Sequence, residues 1–389
     1  MPPPQVHSLT GRITPPVMRT AFRQVKRNRG AAGIDQVSIP MFEAHRDQNL
    51  DALMRDLQPG TFQPLPLRRA FIDKGHGQLR PLGIPAVRDR IAQAVVRCLL
   101  EPLFEPLFQE GSFGFRPGRN GHRAVEQVLR NDREGFRFVL DADIQGFFDH
   151  LPHAVILQAL TRVVADGTIL HLVERFLAAG VMDNGVFQPT TVGTPQGGVI
   201  SPLLANIALH SLDQHLDQHG LRLVRYAADF VVLCRSRRQA QEALHRVAHH
   251  LATLGLSLSP EKTHVTTFGR GFEFLGFRIS SRGVRMRDQS VAKFKDQVRR
   301  ITRRSHHLDA DLLLRLNQVI RGTARYFAAP FTRMATRFHV LDAWLRMRVR
   351  CMKHQRKWRT DNPRVRNQHR VRIGLISLAS FCPPPVTGR

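Results

Sequence analysis

The chain has 389 residues, of which 58 are Lys or Arg and 31 are Asp or Glu, and its formal net charge is +27. A field of this size attracts polyanions, so nucleic acid is the favoured partner and an anionic membrane surface is the alternative. A hydrophobic content of 42% excludes a disordered basic tail.

The cysteines and the hydropathy pattern exclude further classes of protein. The four cysteines are scattered without a zinc-type spacing, the N-terminus is polar, and no apolar stretch approaches about 18 residues. These features argue against a disulfide framework, a signal peptide and a membrane span. We therefore expect a soluble, cytoplasmic protein of two or three domains that binds nucleic acid and no membrane.

The first third of the chain predicts mostly helices. Apolar residues at helical spacing predict a basic amphipathic helix over 15–29, and a second helix is predicted over 42–57. Alternating residues with Pro and Gly breaks predict short strands within 61–85. A long helix is predicted over 89–108.

The middle of the chain mixes strands with helices. β-rich runs predict a strand over 136–144 and hairpins within 221–234 and 272–286. Helical patterns lie between them, over 152–164, 169–178, 202–219 and 239–254. This order predicts an α+β domain with a largely antiparallel sheet.

Two segments carry acidic residues that suit metal-dependent phosphoryl transfer. The run Asp141–Asp149 reads DADIQGFFD at a predicted strand end, and Mg²⁺ prefers carboxylate oxygens. Two such ions can bind the attacking and the leaving oxygen. The hairpin turn Tyr226–Asp229 could bring Asp229 beside Asp143. The alternatives are solvent-facing acids in the first case and ordinary turn chemistry in the second.

Two further segments suit a nucleotide. Thr194–Pro202 is a glycine-rich turn before an apolar helix, and its backbone and Gln196 could approach a nucleotide closely. Lys74–Arg80 is a basic turn suited to a triphosphate. The alternatives are an ordinary helix entry and an exposed hairpin tip.

Taken in chain order, these segments resemble the reverse transcriptases, or maturases, that group II introns encode. The resemblance extends over nearly the whole chain, and two tail segments, LNQVIRGTARYF (316–327) and LDAWLRMRVR (341–350), resemble the thumb and the RNA-binding maturase region. Eight motifs follow the order and spacing of the family: GAAGID (30–35), LRPLGIPAVRDR (79–90), GSFGFRPG (111–118), DADIQGFFD (141–149), TPQGGVISPLLAN (194–206), RYAADFVVL (225–233), LSPEK (258–262) and FLGF (274–277).

The resemblance implies a right-hand polymerase of fingers, palm and thumb, with a basic, all-helical C-terminal thumb and maturase region. The implied domains are an N-terminal extension with the start of the fingers (1–60), fingers (61–135), palm with fingers insertions (136–284), helical thumb and maturase region (285–372) and a tail (373–389).

The resemblance also implies roles for single residues. Asp143 and Asp229 would bind Mg²⁺, Phe148 would exclude a ribose 2′-OH, and Lys262 would support the palm. The residues implied to bind the incoming dNTP are Lys74, Arg80, Ile144, Phe148, Gln196 and Gly197. In the implied reaction, a primer 3′-OH attacks the α-phosphate of a dNTP at a site with two Mg²⁺ ions, and pyrophosphate leaves.

One position departs from the family pattern. The family reads Tyr-Ala-Asp-Asp at the hairpin, whereas this chain has Ala228 in place of the first aspartate. A methyl group removes one metal ligand and one negative charge, so we expect polymerisation to be severely impaired. Because the surrounding motif residues are intact, a deliberate Asp→Ala replacement is the favoured origin, and natural loss is the alternative.

A second departure concerns entry into DNA. The sequence after residue 372 lacks the Cys/His-rich nuclease segment of many relatives, so the chain resembles the endonuclease-lacking members. That resemblance implies a primer from another source, such as a nascent strand at a replication fork, and association with the nucleoid when the protein is on DNA. Cutting of a target duplex by the protein with its intron RNA would contradict it.

Basic residues at both ends of the chain are candidates for RNA contacts. Residues 285–372 hold 24 lysines and arginines against six aspartates, a local net charge of +18, with aromatic residues interleaved. This combination favours RNA binding over a merely solvated surface. The candidates are Arg19, Arg23, Lys26, Arg299, Arg300, Arg303, Arg304, Arg321, Arg325, Arg346, Arg350 and Lys357.

Several functions fit these features. The first is an RNA-directed DNA polymerase and maturase, with group II intron RNA, a DNA target and primer, and dNTPs as partners, whose polymerase site this copy has lost. The second is a splicing cofactor without chemistry of its own, and the third is a relative recruited to defence. Outside the family, the alternative is a generic basic nucleic-acid-binding protein.

Overall fold

The computed structural model describes residues 5–75, 78–195, 197–303, 305–355 and 373–383, apart from the side chains of 73–75 and 78. The side chains of four predicted site residues therefore lie outside the described part of the chain: Lys74, Gln196, Arg304 and Lys357. Among the described residues, no helix has the length and apolar character that crossing a bilayer requires. The chain divides into two compact units, Met1–Val265 and Thr266–Arg389.

The first unit mixes helices and strands. Its helices are α1 (Pro15–Arg27), α2 (Ile39–Ala44), α3 (Arg46–Leu57), α4 (Val87–Phe104), α5 (Gly121–Arg133), α6 (Phe147–His150), α7 (His153–Thr161), α8 (Gly167–Ala178), α9 (Ser201–Gln218) and α10 (Arg237–Thr253). Its strands are β1 (Leu67–Gly75), β2 (Gln78–Ile84), β3 (Phe138–Asp143), β4 (Val181–Asp183), β5 (Val186–Gln188), β6 (Arg222–Tyr226), β7 (Asp229–Cys234) and β8 (His264–Thr267), the last of which contains the division between the units.

A four-stranded sheet in the order β6-β7-β3-β8 forms the centre of the first unit. Strands β6, β7 and β3 pair antiparallel, and β7 from Phe230 to Cys234 is fully buried. Helices α5, α9 and α10 contact these strands. The β-branched and aromatic residues of β7 thus form the core, while the ends of β3 and β7 reach the surface.

A second sheet has the order β2-β1-β4-β5. Strands β1 and β2 form a long antiparallel hairpin, from the pair Arg68↔Ile84 to the pair Gly75↔Gln78. Strand β4 joins β1 in parallel at Leu67↔Val181. This sheet brings the hairpin that carries Arg80 to the segment before the glycine-rich turn.

The amino-terminal segment is fixed by one carboxylate. Asp166 Oδ2 accepts hydrogen bonds from the backbone N–H of Leu9, at 2.7 Å, and of Thr10, at 2.9 Å. Its other oxygen accepts from the N–H of Ile169 at 3.1 Å and so caps α8. Leu9 itself is fully buried in the hydrophobic core.

The second unit is mainly helical. Strands β9 (Phe272–Phe274), β10 (Phe277–Ser280) and β11 (Gly283–Met286) form an antiparallel sheet in the order β11-β10-β9. Three helices follow: α11 (Asp288–Ile301), α12 (Ala310–Phe327) and α13 (Ala335–Lys353). The ring of Phe277 lies 5.0 Å from that of Phe327 and 5.3 Å from that of Tyr326.

A buried aspartate fixes a distant segment to α13 of the second unit. Asp342 accepts hydrogen bonds from Ser377 Oγ, at 2.5 Å, from Leu378 N, at 2.9 Å, and from Ala379 N, at 3.1 Å. Three donors compensate the burial of this carboxylate.

The α+β class and the main elements predicted from the sequence are confirmed, with two differences. The helix predicted over 42–57 is two helices, because His45 leaves helical geometry at φ −122°, ψ 38° between α2 and α3. The sequence prediction had no counterpart for helices α5 and α6, the short hairpin β4–β5 and strand β8. The division into fingers, palm and thumb stays a prediction.

Candidate active site and nucleic-acid interface

Two carboxylates meet at the exposed ends of neighbouring strands. Asp143 is the last residue of β3 and pairs across the sheet with Asp229, the first residue of β7. Asp229 also pairs with Tyr226 across the two-residue turn Ala227–Ala228. The predicted proximity of Asp143 and Asp229 is therefore confirmed, and Ala228 lies in the turn beside them, half-buried against the core.

A lysine neutralises one of these acids. Lys262 Nζ donates a hydrogen bond to Asp143 Oδ2 at 2.9 Å. The position of Lys262 follows from backbone pairing, since Ser259 N donates to Asp143 O at 2.8 Å and Gln145 N donates to Ser257 O at 2.9 Å. The LSPEK and DADIQGFFD motifs thus form one local structure.

This constellation does not fit a two-ion site. Across the described ranges, no three His, Cys, Asp or Glu side chains come together in a way that could hold a metal ion. Asp143 and Asp229 supply carboxylates, whereas the third position is the methyl group of Ala228, and Lys262 forms an ion pair with Asp143. Hard divalent cations need more oxygen ligands than these two side chains give.

One of the predicted nucleotide residues, Phe148, lines a small cavity. A space of about 150 Å³ is lined by Phe148 together with residues of β1, β2 and the segment 190–195. Phe148 O accepts from Thr194 N at 2.7 Å, so the aromatic residue and the glycine-rich turn are held together. The side chain of Ile144 is buried in the core, so only its backbone could contact a nucleotide, and its role in nucleotide binding stays a prediction.

Gly197 makes a close backbone contact with the fingers-like hairpin. Its φ is +120°, and a Cβ at this position would lie 2.3 Å from the carbonyl oxygen of Gly83 in β2. Only glycine allows both the backbone conformation and the contact. Arg80 is exposed on β2 opposite Ile72, so its role in binding a triphosphate stays a prediction.

A buried arginine supports the turn, and sequence reasoning missed it. Arg225 has no exposed surface, and its guanidinium donates to Asp213 Oδ1 at 2.7 Å and Oδ2 at 2.5 Å. It also donates to Asn206 Oδ1 at 2.9 Å, to Ser112 Oγ at 2.9 Å and to the carbonyl oxygen of Ala227 at 3.1 Å. Arg225 lies among apolar residues in a strand, and this local pattern does not predict such a hydrogen-bond network.

A second arginine joins two of the motifs. Arg90 is buried in α4, and its guanidinium donates to Pro85 O at 2.9 Å and to the carbonyl oxygen of Ala31. Burial lowers the pKa of this guanidinium. The GAAGID segment is therefore fixed to the LRPLGIPAVRDR segment by side-chain hydrogen bonds.

Comparison with known families decides the identity. The model of the reverse transcriptase (RNA-dependent DNA polymerase) family matches residues 72–279, and the group II intron maturase-specific domain matches residues 291–372. The chain belongs to the reverse transcriptase family. The first match contains the paired acids of β3 and β7, and the second contains the basic helices α12 and α13.

Curated relatives agree with this assignment. Protein YkfC of Escherichia coli (strain K12) is 33% identical over 318 residues, which cover 71% of this chain and 83% of YkfC. The group II intron-encoded protein LtrA of Lactococcus lactis subsp. cremoris is 33% identical over 245 residues, which cover 62% of this chain but only 40% of LtrA. A solved Cas6-RT-Cas1–Cas2 complex contains a chain that is 26% identical, with a TM-score of 0.38, over 62% of this reverse transcriptase and 40% of that chain.

In this reverse transcriptase, the described candidate RNA-binding residues lie on helices, except Arg303, which follows the end of α11. Among those described, Arg346 and Arg350 are half-buried, and the others are exposed: Arg19, Arg23, Lys26, Arg299, Arg300, Arg303, Arg321 and Arg325. Lys26 forms an ion pair of 2.5 Å with Glu43, and Arg299 forms one of 2.5 Å with Asp296. RNA contact by these residues stays a prediction.

Proposed function

We propose that this chain binds structured group II intron RNA and assists its splicing, and that its polymerase site is silent because of Ala228. The observation that carries the second part is the strand pairing of Asp143 with Asp229 beside a turn that supplies a methyl group. The strands on either side of the turn are paired, and position 228 of that turn carries a methyl group instead of a carboxylate.

The loss has a direct electrostatic consequence. Catalysis in this family depends on divalent cations that stabilise the charge developing on the transferred phosphate. With Ala228 in the turn, only Asp143 and Asp229 are left to bind the divalent cations, and Lys262 already neutralises Asp143. We infer that divalent ions bind this site weakly and that nucleotide addition is reduced by several orders of magnitude.

The RNA-binding part rests on the second unit. The maturase-specific match covers 291–372, and helix α12 exposes Arg321 and Arg325 one turn apart. Folded RNA is recognised through shape, phosphates and stacking, which suits clustered arginines. On this proposal the protein works in the cytoplasm, and a version with a restored site copies RNA into DNA from a DNA primer with dNTPs and Mg²⁺.

Primer extension on an RNA template tests the polymerase part. We expect Ala228→Asp to extend a DNA primer at least about 100-fold faster than the unchanged chain, because the third carboxylate is restored at its place in the turn. Ala227→Asp is the matched control, since it adds the same charge one residue away and should not extend. Equal extension by the unchanged chain and Ala228→Asp would contradict the proposal.

Binding and splicing assays test the maturase part. We expect the unchanged chain and Ala228→Asp to bind a group II intron RNA equally and to accelerate its splicing equally, because residue 228 lies outside the basic helices. Intron RNA should also outcompete duplex DNA at raised salt, whereas a generic basic protein would lose both together. Copurification of an RNA that is not a ribozyme would favour the defence reading instead.

A further inference from the structure

The GSFGFRPG segment is built onto the edge of the sheet that carries the acids. Arg225 N donates to Gly111 O at 2.8 Å, and Phe113 N donates to Arg225 O at 2.8 Å. Ser112 and Arg225 therefore form a parallel bridge beside β6. Through this bridge, residues 111–113 extend the sheet next to the turn Ala227–Ala228.

The next residues are fixed at the turn itself. A Cβ on Gly114 would lie 2.4 Å from Ala227 N, so only glycine permits this approach. Asn206 Nδ2 donates to Gly114 O at 2.7 Å, and buried Arg116 donates to Ser112 O at 2.8 Å and to Glu105 Oε1 at 2.8 Å. The backbone on both sides of Phe115 is thus held by side-chain hydrogen bonds.

The backbone of Phe115 has a conformation that is unfavourable for a bulky residue. Its φ is +59°, a left-handed conformation that is rare for bulky residues, and 50% of its surface is exposed. Its ring centroid lies 6.1 Å from that of Tyr226, with an interplanar angle of 45°. Backbone strain combined with exposure is typical of a functional position.

The location indicates what this side chain contacts. Tyr226 pairs with Asp229, which pairs with Asp143, so the two rings lie next to the paired acids. Exposed aromatic rings on a basic protein stack on nucleobases. We propose that Phe115, supported by Tyr226, stacks on a nucleobase of the bound primer–template duplex close to the primer 3′ end. This inference rests on the proposed function of the site.

The test measures binding by the full chain, without requiring polymerisation. An RNA template annealed to a DNA primer is labelled for fluorescence anisotropy, and Phe115→Ala, Phe115→Trp and Phe187→Ala are compared with the unchanged chain. Phe187 is the matched control because it is 51% exposed in β5 of the same unit. We expect Phe115→Ala to weaken binding about tenfold, Phe115→Trp to preserve it, and Phe187→Ala to change it less than twofold.

A second readout reports stacking directly. 2-Aminopurine placed at the primer 3′ end, or at the template base opposite it, should be quenched on binding by the unchanged chain and less so by Phe115→Ala. Equal affinity and equal quenching for Phe115→Ala and Phe187→Ala would overturn the inference. Failure of the unchanged chain to bind any RNA would instead overturn the proposed function.

Stability measurements separate stacking from a structural role. Phe115→Gly relieves the left-handed strain, so we expect it to melt no lower than Phe115→Ala while binding primer–template as weakly. If Phe115→Gly and Phe115→Ala both melt well below the unchanged chain and their binding loss follows the unfolded fraction, the ring acts in folding alone. A protein partner that binds at Phe115 without any effect of Phe115→Ala on nucleic-acid affinity would also overturn the inference.

Discussion

Arg225 in the first unit and the pair Arg321 and Arg325 in the second unit differ sharply in their surroundings. In the first, Arg225 is wholly buried, and its guanidinium hydrogen-bonds to a carboxylate, an amide, a hydroxyl and a backbone carbonyl. In the second, Arg321 and Arg325 stand exposed on α12. A buried guanidinium with partners fixes a structure, whereas exposed ones attract phosphate. The same residue type therefore fixes the turn at Arg225, whereas at Arg321 and Arg325 it leaves exposed positive charge for the proposed RNA.

The largest expected effect comes from removing the buried arginine. We expect Arg225→Ala to lower the free energy of unfolding by about 3–5 kcal/mol, because Asp213 is left as a buried charge without its cation. Arg321→Ala should change it by less than about 0.5 kcal/mol. Urea denaturation, read by amide exchange in β6 and β7, measures both variants. Similar losses from the two variants would break the contrast between the units.

Buried carboxylates offer a second contrast. Asp89 is buried in α4, where Leu65 N donates to its Oδ2 at 2.9 Å, and desolvation raises its pKa to about 7. Because the folded-state pKa lies above the ordinary value of 3.8, its contribution to stability is full below about pH 4 and is lost as the pH rises through 7. We expect Asp89→Asn to be more stable than the unchanged chain at pH 8, by up to roughly 4 kcal/mol, and nearly neutral at pH 4.

Thermal melts at both pH values check this expectation. Asp342→Asn is the control from the second unit, since Asp342 accepts hydrogen bonds from three donors and should lose stability at either pH. A difference between Asp89→Asn and the unchanged chain that stays constant from pH 4 to 8 would show that the Asp89 carboxyl is already ionised at the acidic end.

The smallest expected effect is on RNA affinity. We expect the double variant Arg321→Gln/Arg325→Gln to weaken binding to intron RNA about tenfold and to reduce the slope of log K against log salt by about 1–2. Arg315→Gln on the same helix is the control, because Asp311 lies 3.1 Å from its guanidinium and already neutralises it. Filter binding at several salt concentrations measures the slope, and an unchanged slope in the double variant would contradict a phosphate contact.

Residues with a strong local pattern were predictable from the sequence. The alternation and composition of 136–144 and 221–234 indicated strands, and their pairing brought Asp143 beside Asp229 as expected. The effect of Ala228 on polymerisation stays a prediction, which rests on the fact that a methyl group supplies no oxygen ligand. Local period and side-chain chemistry were sufficient for these conclusions.

Contacts between distant segments were not predictable in this way. The Arg225 network joins residues 112, 206 and 213 to the turn, and no periodicity links these positions. The burial of the Ile144 side chain also depends on packing between distant segments. The exposure of Phe115 likewise depends on a left-handed backbone that only the folded loop imposes.

The hydrogen bond from Leu9 to Asp166 has a consequence for biosynthesis. Its partners are 157 residues apart in the chain, at 2.7 Å in space. During translation, the amino-terminal segment therefore cannot complete its native contacts until Asp166 has left the ribosome. A nascent chain stalled before residue 166 should expose the apolar side chain of Leu9 to chaperones. The synthesis of Asp166 therefore sets the earliest stage at which the amino-terminal segment can fold on the ribosome.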